Sequence, residues 1–374
     1  MRLILSMVFT LGYFLCNAQS PAANLKLNQI QIIASHNSYK KRPSPNEIRF
    51  LMKVKKKLGE ENNPIALDYG HLPFDSQFSY CNVRGLEIDI NNDPKGGLYY
   101  RRKINAFVKG LKQKSGVEAL RKPGLKVLHI KDVDYETNYY TFKESLVALK
   151  KWSDEHPNHL PMFINIESKN GSPADESGVL RFLGFKRAIK FDQAACDSID
   201  AEIKSVFGID LQGVITPDLV RGNYPTLNEM ATNNGWPLLS KCRGKVLFAM
   251  EGGAVENYLI NHNSLQGRVM FVYSEPGRPE AAFVKRNNST RDKENIKELV
   301  KKGYIIRTRS DSETWEARNN DYTNMNNAFE SGAQIISTDF YQPDLRFSTF
   351  TVQFPGRVVG RANPVNATGE TLVE

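Results

Sequence analysis

The sequence predicts a TIM-type (β/α)8 barrel, and three features carry that prediction. Eight short runs rich in Val, Ile, Leu and Phe, without clean alternation, read as strands buried on both faces of a parallel sheet. They are residues 30–34, 85–90, 126–130, 162–166, 245–250, 268–273, 304–308 and 334–337. Helical patterns lie between many of them, which implies βαβ units. Four runs deliver a His or a carboxylate at or next to the C-terminal end, in IIASHNSYK, GLEIDI, KVLHI and FINIESK. An α/β barrel assembles its active site at the strand ends on that face.

At the N-terminus, Arg2, an apolar stretch over residues 3–15 and the residues Cys16-Asn17-Ala18 read as a signal peptide over residues 1–18, cut before Gln19. A secreted or periplasmic protein is therefore expected. Residues 19–345 form the barrel as a single domain. Residues 346–374, rich in Gly, Pro and Asn, form a surface tail that frays at its end. Among the helical patterns, 141–155 places Leu146, Leu149 and Trp152 on one face. Residues 192–207 begin at an Asp192 N-cap and align Ile199, Ile203 and Val206. Residues 289–302 align Ile296 with Leu299 and Val300. Residues 313–331 are polar but compatible with a helix that Gly332 stops. The long stretches 43–80 and 91–124 read as loops at the C-terminal face that shape access to the site. No GxGxxG follows the first run and there is no Walker A motif, which removes the nucleotide-binding α/β folds those motifs mark.

Of the 374 residues, 40% are hydrophobic and 24% charged, enough for a full core. No later apolar run approaches a membrane span. The net charge of +9 favours anionic partners. The basic residues are dispersed, and the densest run, at 53–57, reads as a solvated helix face. Aromatic and basic residues are not interleaved as in a single-strand binder, so no nucleic acid is expected. Beyond Cys16 stand Cys81, Cys196 and Cys242, an odd number without CxxC or zinc-ligand spacing. The core, not a disulfide framework, must supply stability.

Glu87 and Asp89, two apart on one strand, share a face. Such carboxylates repel one another unless a cation or proton holds them. Glu167 ends the fourth run and can meet them, and Asn37 adds a neutral oxygen. Four oxygen ligands make a hard-cation site suited to Ca²⁺ or Mg²⁺. His36 and His129, ending the first and third runs, flank this cluster as an acid–base pair. His71, His156, His159 and His262 fall in loops or helix ends and read as exposed filler. A cation with two imidazoles suits displacement at a phosphodiester: one His takes the proton of the attacking hydroxyl, the other protonates the leaving oxygen. Lys169, two beyond Glu167, is placed to neutralise the phosphate. Arg307 and Arg309, ending the seventh run, offer further anion or sugar contacts.

With these motifs the chain resembles the phosphatidylinositol-specific phospholipase C superfamily, and is most similar to its secreted, calcium-dependent microbial branch. The resembling segments are IIASHNSYK, RGLEIDI, KVLHIKD, a Trp-containing helix followed by HPNHLPMFINIESK, and GAQIISTDFYQPD. The resemblance implies a TIM-type barrel and Ca²⁺-assisted cleavage. It implies metal ligation by Asn37, Glu87, Asp89 and Glu167, with His36 and His129 as the catalytic pair. The inositol 2-hydroxyl would attack the adjacent phosphorus, releasing diacylglycerol and inositol 1,2-cyclic phosphate. The expected partners are an inositol phosphodiester and, transiently, a membrane surface, met by a monomer. The fifth run departs from the polyphosphoinositide pattern: Ala249 and Glu251 stand where that pattern has basic residues, which argues against a polyphosphorylated headgroup.

Three rivals are weighed. A glycerophosphodiester phosphodiesterase shares the barrel, the Glu-x-Asp pair and a signature like Ser337-Thr338-Asp339-Phe340-Tyr341-Gln342-Pro343, but usually opens His-Arg-Gly where this chain has His36-Asn37-Ser38. A non-catalytic barrel binding anionic glycolipid would fit the charge but leaves both His and the ligand set unexplained. A glycosidase would put its acid and nucleophile on different strands.

Overall fold

The structure is a computed structural model that describes residues 24–55 and 63–367. The signal-peptide reading lies outside the described residues. The strands are β1 (Ile30–Ser35), β2 (Val83–Asn91), β3 (Lys126–Val127), β4 (Met162–Ser168), β5 (Val246–Gly252), β6 (Phe271–Val272), β7 (Phe283–Asn288), β8 (Ile305–Arg309), β9 (Ile335–Thr338) and β10 (Gly360–Ala362). Eight of them run parallel in the spatial order β6-β5-β4-β2-β1-β9-β8-β7. A parallel bridge between Tyr273 and Phe283 joins the two ends and closes the TIM-type barrel.

The number of staves is as expected, but one of them differs. Residues 126–130 supply only β3, which pairs antiparallel with the C-terminal end of β2 through Ile90↔Val127 and Asn91↔Lys126. The chain then turns back through the Ile130–Asp134 bridge. The stave missing from the sequence reading is β7. Only its first residues are buried; Lys285 and Arg286 are half-buried, and Asn287 and Asn288 are exposed. It therefore lacks the continuous apolar run that marks the other central strands.

The helices begin where side chains satisfy free backbone donors. Thr141 caps Phe142–Glu155, with Glu144 returning to the Thr141 backbone as a capping box. Asp192 accepts from the Ala195 N–H at the start of Gln193–Phe207. Leu146, Leu149, Trp152, Ile199 and Ile203 are all buried, as their spacing requires. The helix expected over 313–331 divides into Trp315–Asn319 and Thr323–Ser331, because Asn320 adopts the left-handed conformation (φ 52°) and ends the first turn. Gly332, at φ 77°, ends the second. Within the stretch read as a surface tail, Phe350, Val352 and Phe354 are buried and β10 pairs antiparallel with β1. Cys81, Cys196 and Cys242 are buried free thiols. Among the described residues no helix is long and apolar enough to cross a membrane.

Closure rests on Phe283. Its buried ring meets Trp236, Phe271 and Tyr273 at the seam. Phe283→Ala is expected to cost about 3–5 kcal/mol, read as a lower denaturation midpoint in urea.

His159 differs from its sequence reading. It is buried, with Nδ1 donating to the Leu160 carbonyl and Nε2 bonded to Ser153 Oγ at 2.8 Å. Burial lowers its pKa from 6.5 to about 4. The unfolded chain binds the proton more readily, so stability is full above about pH 6.5 and falls as pH drops toward 4. Thermal melts across that range should show the fall, and His159→Asn should flatten it.

Candidate active site

The turn after β1 is fixed by its neighbours on both sides. The His36 N–H donates to the Thr338 carbonyl of β9, and the Ser38 N–H to the Glu87 carbonyl of β2. Ser38 Oγ accepts from the Glu87 N–H at 2.7 Å. Between them Asn37 takes a positive φ of 49°, a conformation Asn tolerates better than most residues. This turn sets His36 and Asn37 at the mouth of the barrel beside Glu87. His71, read as loop filler, is buried and bonds the His36 carbonyl at 2.7 Å.

Strand register brings the acidic groups to one level. Asp89 pairs with Glu167 across β2 and β4, and Glu167 with Glu251 across β4 and β5. One oxygen each from Glu87, Asp89 and Glu167 lies within 4.8 Å of the others. Oxygens bound to one Ca²⁺ at about 2.4 Å can be no farther apart than roughly this. Asp89 is fully buried and its Oδ1 has no hydrogen-bond partner. Burial, together with the neighbouring Glu167 and Glu87 charges, raises the Asp89 pKa well above the usual carboxylate range, against the pull of Lys169. An anionic, oxygen-only donor set with an unpartnered buried carboxylate oxygen fits a hard divalent cation.

The structure brings all nine sequence-predicted residues to this end of the barrel, but gives the basic ones protein partners. Lys169 Nζ lies 2.8 Å from both Asp89 Oδ2 and Glu167 Oε2. Arg307 is buried and crosses to Glu87 Oε2, with Asn287 Oδ1 at 3.1 Å. Burial pushes the Glu87 carboxyl up, but Arg307 and His36 outweigh it and hold it below its ordinary value. Arg309 Nη2 donates to Asp339 Oδ2 at 2.9 Å, and its Nη1 lies 3.4 Å from His36 Nε2.

Both imidazoles are held by carboxylates that the sequence reading did not assign to the site. His36 Nδ1 lies 2.8 Å from Asp339 Oδ1, and His129 Nδ1 lies 2.9 Å from Asp134 Oδ2. His36 Nε2 is turned toward Glu87 Oε1, at 3.5 Å. Burial raises the Asp339 carboxyl, and the charges of His36 and Arg309 bring it well below its ordinary range. Burial lowers His129, partly offset by Asp134. Asp339 had a signal, since it directly follows β9 as other site residues follow their strands. Asp134 had only its nearness in sequence to His129. Tyr69, from the first long loop, accepts from Asn37 Nδ2 at 2.8 Å and approaches His36 Nδ1 at 3.3 Å. Nothing in its local sequence marks it.

The fold and its mouth are those of a (β/α)8-barrel enzyme. The chain belongs to the Ca²⁺-dependent phosphoinositide phospholipase C family, whose model matches residues 25–364. It is a phosphoric diester hydrolase of the phosphatidylinositol-specific phospholipase C type and, like its family, Ca²⁺-dependent. A solved apo structure of a calcium-dependent phosphoinositol-specific phospholipase C from Pseudomonas sp. is similar at 16% identity. The match covers 92% of this chain and 97% of that one, with a TM-score of 0.53. The myoinositol complex from the same source aligns at 17% identity over 91% of this chain and 96% of that one, with a TM-score of 0.52. At these identities the likeness establishes the barrel fold. No curated protein sequence matches the chain significantly.

Asp339→Asn should keep the barrel intact but release the His36 ring from its tautomer and orientation. A fall of roughly 10²–10⁴-fold in kcat with little change in KM is expected, measured on an inositol phosphodiester.

Proposed function

We propose that this protein cleaves phosphatidylinositol-type lipids to diacylglycerol and inositol 1,2-cyclic phosphate, with His36 and His129 as its acid–base pair. The observation that carries the reading is the pairing of each imidazole Nδ1 with a buried carboxylate at the mouth that holds the acidic cluster. An imidazole anchored through Nδ1 offers Nε2 for proton transfer, and its carboxylate stabilises the charged form as it appears. His36, beside Glu87 and Arg309, takes the proton from the inositol 2-hydroxyl. His129 protonates the departing diacylglycerol oxygen. The opposite assignment reverses the two roles and uses the same geometry.

Glu87, Asp89 and Glu167, with Asn37 Oδ1, would hold the Ca²⁺. When bound, the ion supplies charge stabilisation at the phosphoryl oxygens and lowers the pKa of a coordinated hydroxyl. Arg309, 17% exposed at the side chain, is the basic group nearest His36 and is assigned to the phosphate or the sugar ring. Lys169 and Arg307 act on the substrate through the carboxylates they pair with, and Lys169 also brings positive charge toward the phosphate. Glu251, paired with Lys285 and Arg307, puts a carboxylate on the rim of β5. That charge supports a headgroup without further phosphates. The protein acts as a monomer, meets the membrane transiently, and works outside the cytoplasm after losing residues 1–18.

Incubation with phosphatidylinositol and identification of the phosphorus products tests the reading. A cyclic inositol phosphate is expected; glycerol phosphate would mean a glycerophosphodiesterase instead. A calcium chelator should abolish turnover and added Ca²⁺ restore it. His36→Ala and His129→Ala should each lower kcat by roughly 10²–10⁴-fold, and unchanged turnover in either would remove that residue from the mechanism.

A further inference from the structure

Lys40 closes the turn that begins at His36, and its side chain is fully buried. A lysine is almost never buried to this degree unless its charge is answered. Its ammonium has three donors and meets three acceptors. Nζ donates to the Leu67 carbonyl at 2.9 Å and to the Tyr69 carbonyl at 2.8 Å, and lies 3.4 Å from Asp134 Oδ2. The Tyr69 ring packs against it, with its centroid 4.4 Å from Nζ.

The backbone fixes this position from both sides. The Lys40 N–H donates to the Asn37 carbonyl at 2.8 Å, and the Lys40 carbonyl accepts from the His71 N–H at 2.8 Å. An antiparallel bridge joins Lys40 to Thr137, and the Lys41 N–H donates to the Glu136 carbonyl at 2.9 Å. The segment after His36 is thereby laid against the segment after His129, and the lysine side chain is delivered to Asp134.

Asp134 Oδ2 is shared. It meets His129 Nδ1 at 2.9 Å as well as Lys40 Nζ, while Oδ1 has no hydrogen-bond partner. Burial pushes the Asp134 carboxyl up; the Lys40 charge first, then the His129 hydrogen bond and charge, bring it below its ordinary value. Arg102 adds a smaller pull and is itself engaged by Glu47. When the imidazole is neutral, Lys40 is thus the cation that keeps its anchor ionised. When the imidazole is protonated, the ammonium opposes a second positive charge beside it. His129 faces Asp134, Lys169 and Lys40; Lys40 faces Asp134 and, more weakly, Asp339 and Asp68. A buried carboxylate alone would hold the imidazolium proton too tightly for a group that must both take and give it. A general acid or base works best with a pKa near the working pH.

We propose that Lys40 is a positioning residue for His129: it holds Asp134 as the charged anchor of the ring and balances the grip of that carboxylate on the imidazole proton. The role rests on the reading of His129 as a proton carrier given above. Being fully buried, Lys40 acts through Asp134 and not on the substrate.

The test is a pH titration of the His129 ring by NMR on the Ca²⁺-loaded, histidine-labelled protein, with His129→Ala identifying the signal. Lys40→Met removes the ammonium and its loop contacts. Lys40→Gln removes the charge but keeps N–H donors for the loop carbonyls, and carries the test if Lys40→Met does not fold. In both, loss of a positive neighbour should raise the His129 pKa by about one unit or more. On a water-soluble inositol phosphodiester kcat should fall roughly tenfold, the scale on which side chains of one network couple, with KM little changed. The limb of the kcat–pH profile that His129 controls should move to higher pH: the high-pH limb if His129 is the acid, the low-pH limb if it is the base. An unmoved His129 pKa in Lys40→Gln overturns the proposal. So does a fall in kcat with neither limb displaced, which would make Lys40 a tie for residues 67–69 alone. A wild type that hydrolyses no inositol diester while the His129 pKa still moves would sink the catalytic reading and leave the Lys40–Asp134 balance standing. His129-dependent hydrolysis with an unmoved pKa would do the reverse.

Discussion

Four carboxylates on three neighbouring strands crowd the mouth of this barrel, and their mutual repulsion governs what surrounds them. Glu87 and Asp89 share a face of β2; Glu167 and Glu251 stand level with Asp89 on β4 and β5. Like charges this close and this buried are tolerated only with cations among them. The chain supplies these: Arg307 from β8 to Glu87, Lys285 from β7 to Glu251, and Lys169, directly after β4, to Asp89 and Glu167. The Arg307 and Lys285 pairs join strands that are not neighbours in the sheet. One ammonium shared between two carboxylates still leaves negative charge in excess, and Asp89 Oδ1 has no hydrogen-bond partner. A doubly charged ion is the natural complement of such a set.

The same electrostatic principle orders the imidazoles. Asp339 accepts from both His36 and Arg309, so one buried charge fixes two side chains that face the phosphodiester in the proposed reaction. Asp134 serves His129 and also meets Lys40 at 3.4 Å. Each His therefore belongs to a small charged network that pins its ring and aims one nitrogen. Asn37, Tyr69 and His71 complete the setting around His36 by hydrogen bonding. The turn carrying His129 and Asp134 also holds the segment after β4, through Asp132 to the Lys186 N–H and Lys131 to the Gly171 carbonyl.

Much of the candidate site is legible in the sequence because barrel chemistry sits at strand ends. His36 and Asn37 follow the first apolar run, Asp89 and Glu167 stand at the ends of the second and fourth, and period-two alternation puts Glu87, inside the second run, on one face with Asp89. His129 is singled out by a run that the structure shows to be a short antiparallel strand, so the candidate stands near the mouth although its supporting element is not a stave. Asp134 carries no sequence signal because its partner lies across a turn, a contact no periodicity records. The sequence points Lys169 and Arg307 at the substrate. Their carboxylate partners come from other strands or from side-chain reach, which sequence spacing alone does not reveal.

By itself the sequence determined the class of fold, the helix starts at Thr141 and Asp192, and the residue types from which the site is built. These follow from local periodicity, capping chemistry and the placement of polar residues at the ends of buried runs. Only the tertiary structure decided which strand is the eighth stave, which carboxylate holds which imidazole, and which cation answers which anion. β7 becomes a stave because Phe283 packs among rings contributed by residues 236, 271 and 273. The ion pairs form because barrel closure brings β2 and β8 face to face. Both depend on contacts between residues far apart in the chain, and it is the closure of the sheet that brings those residues together.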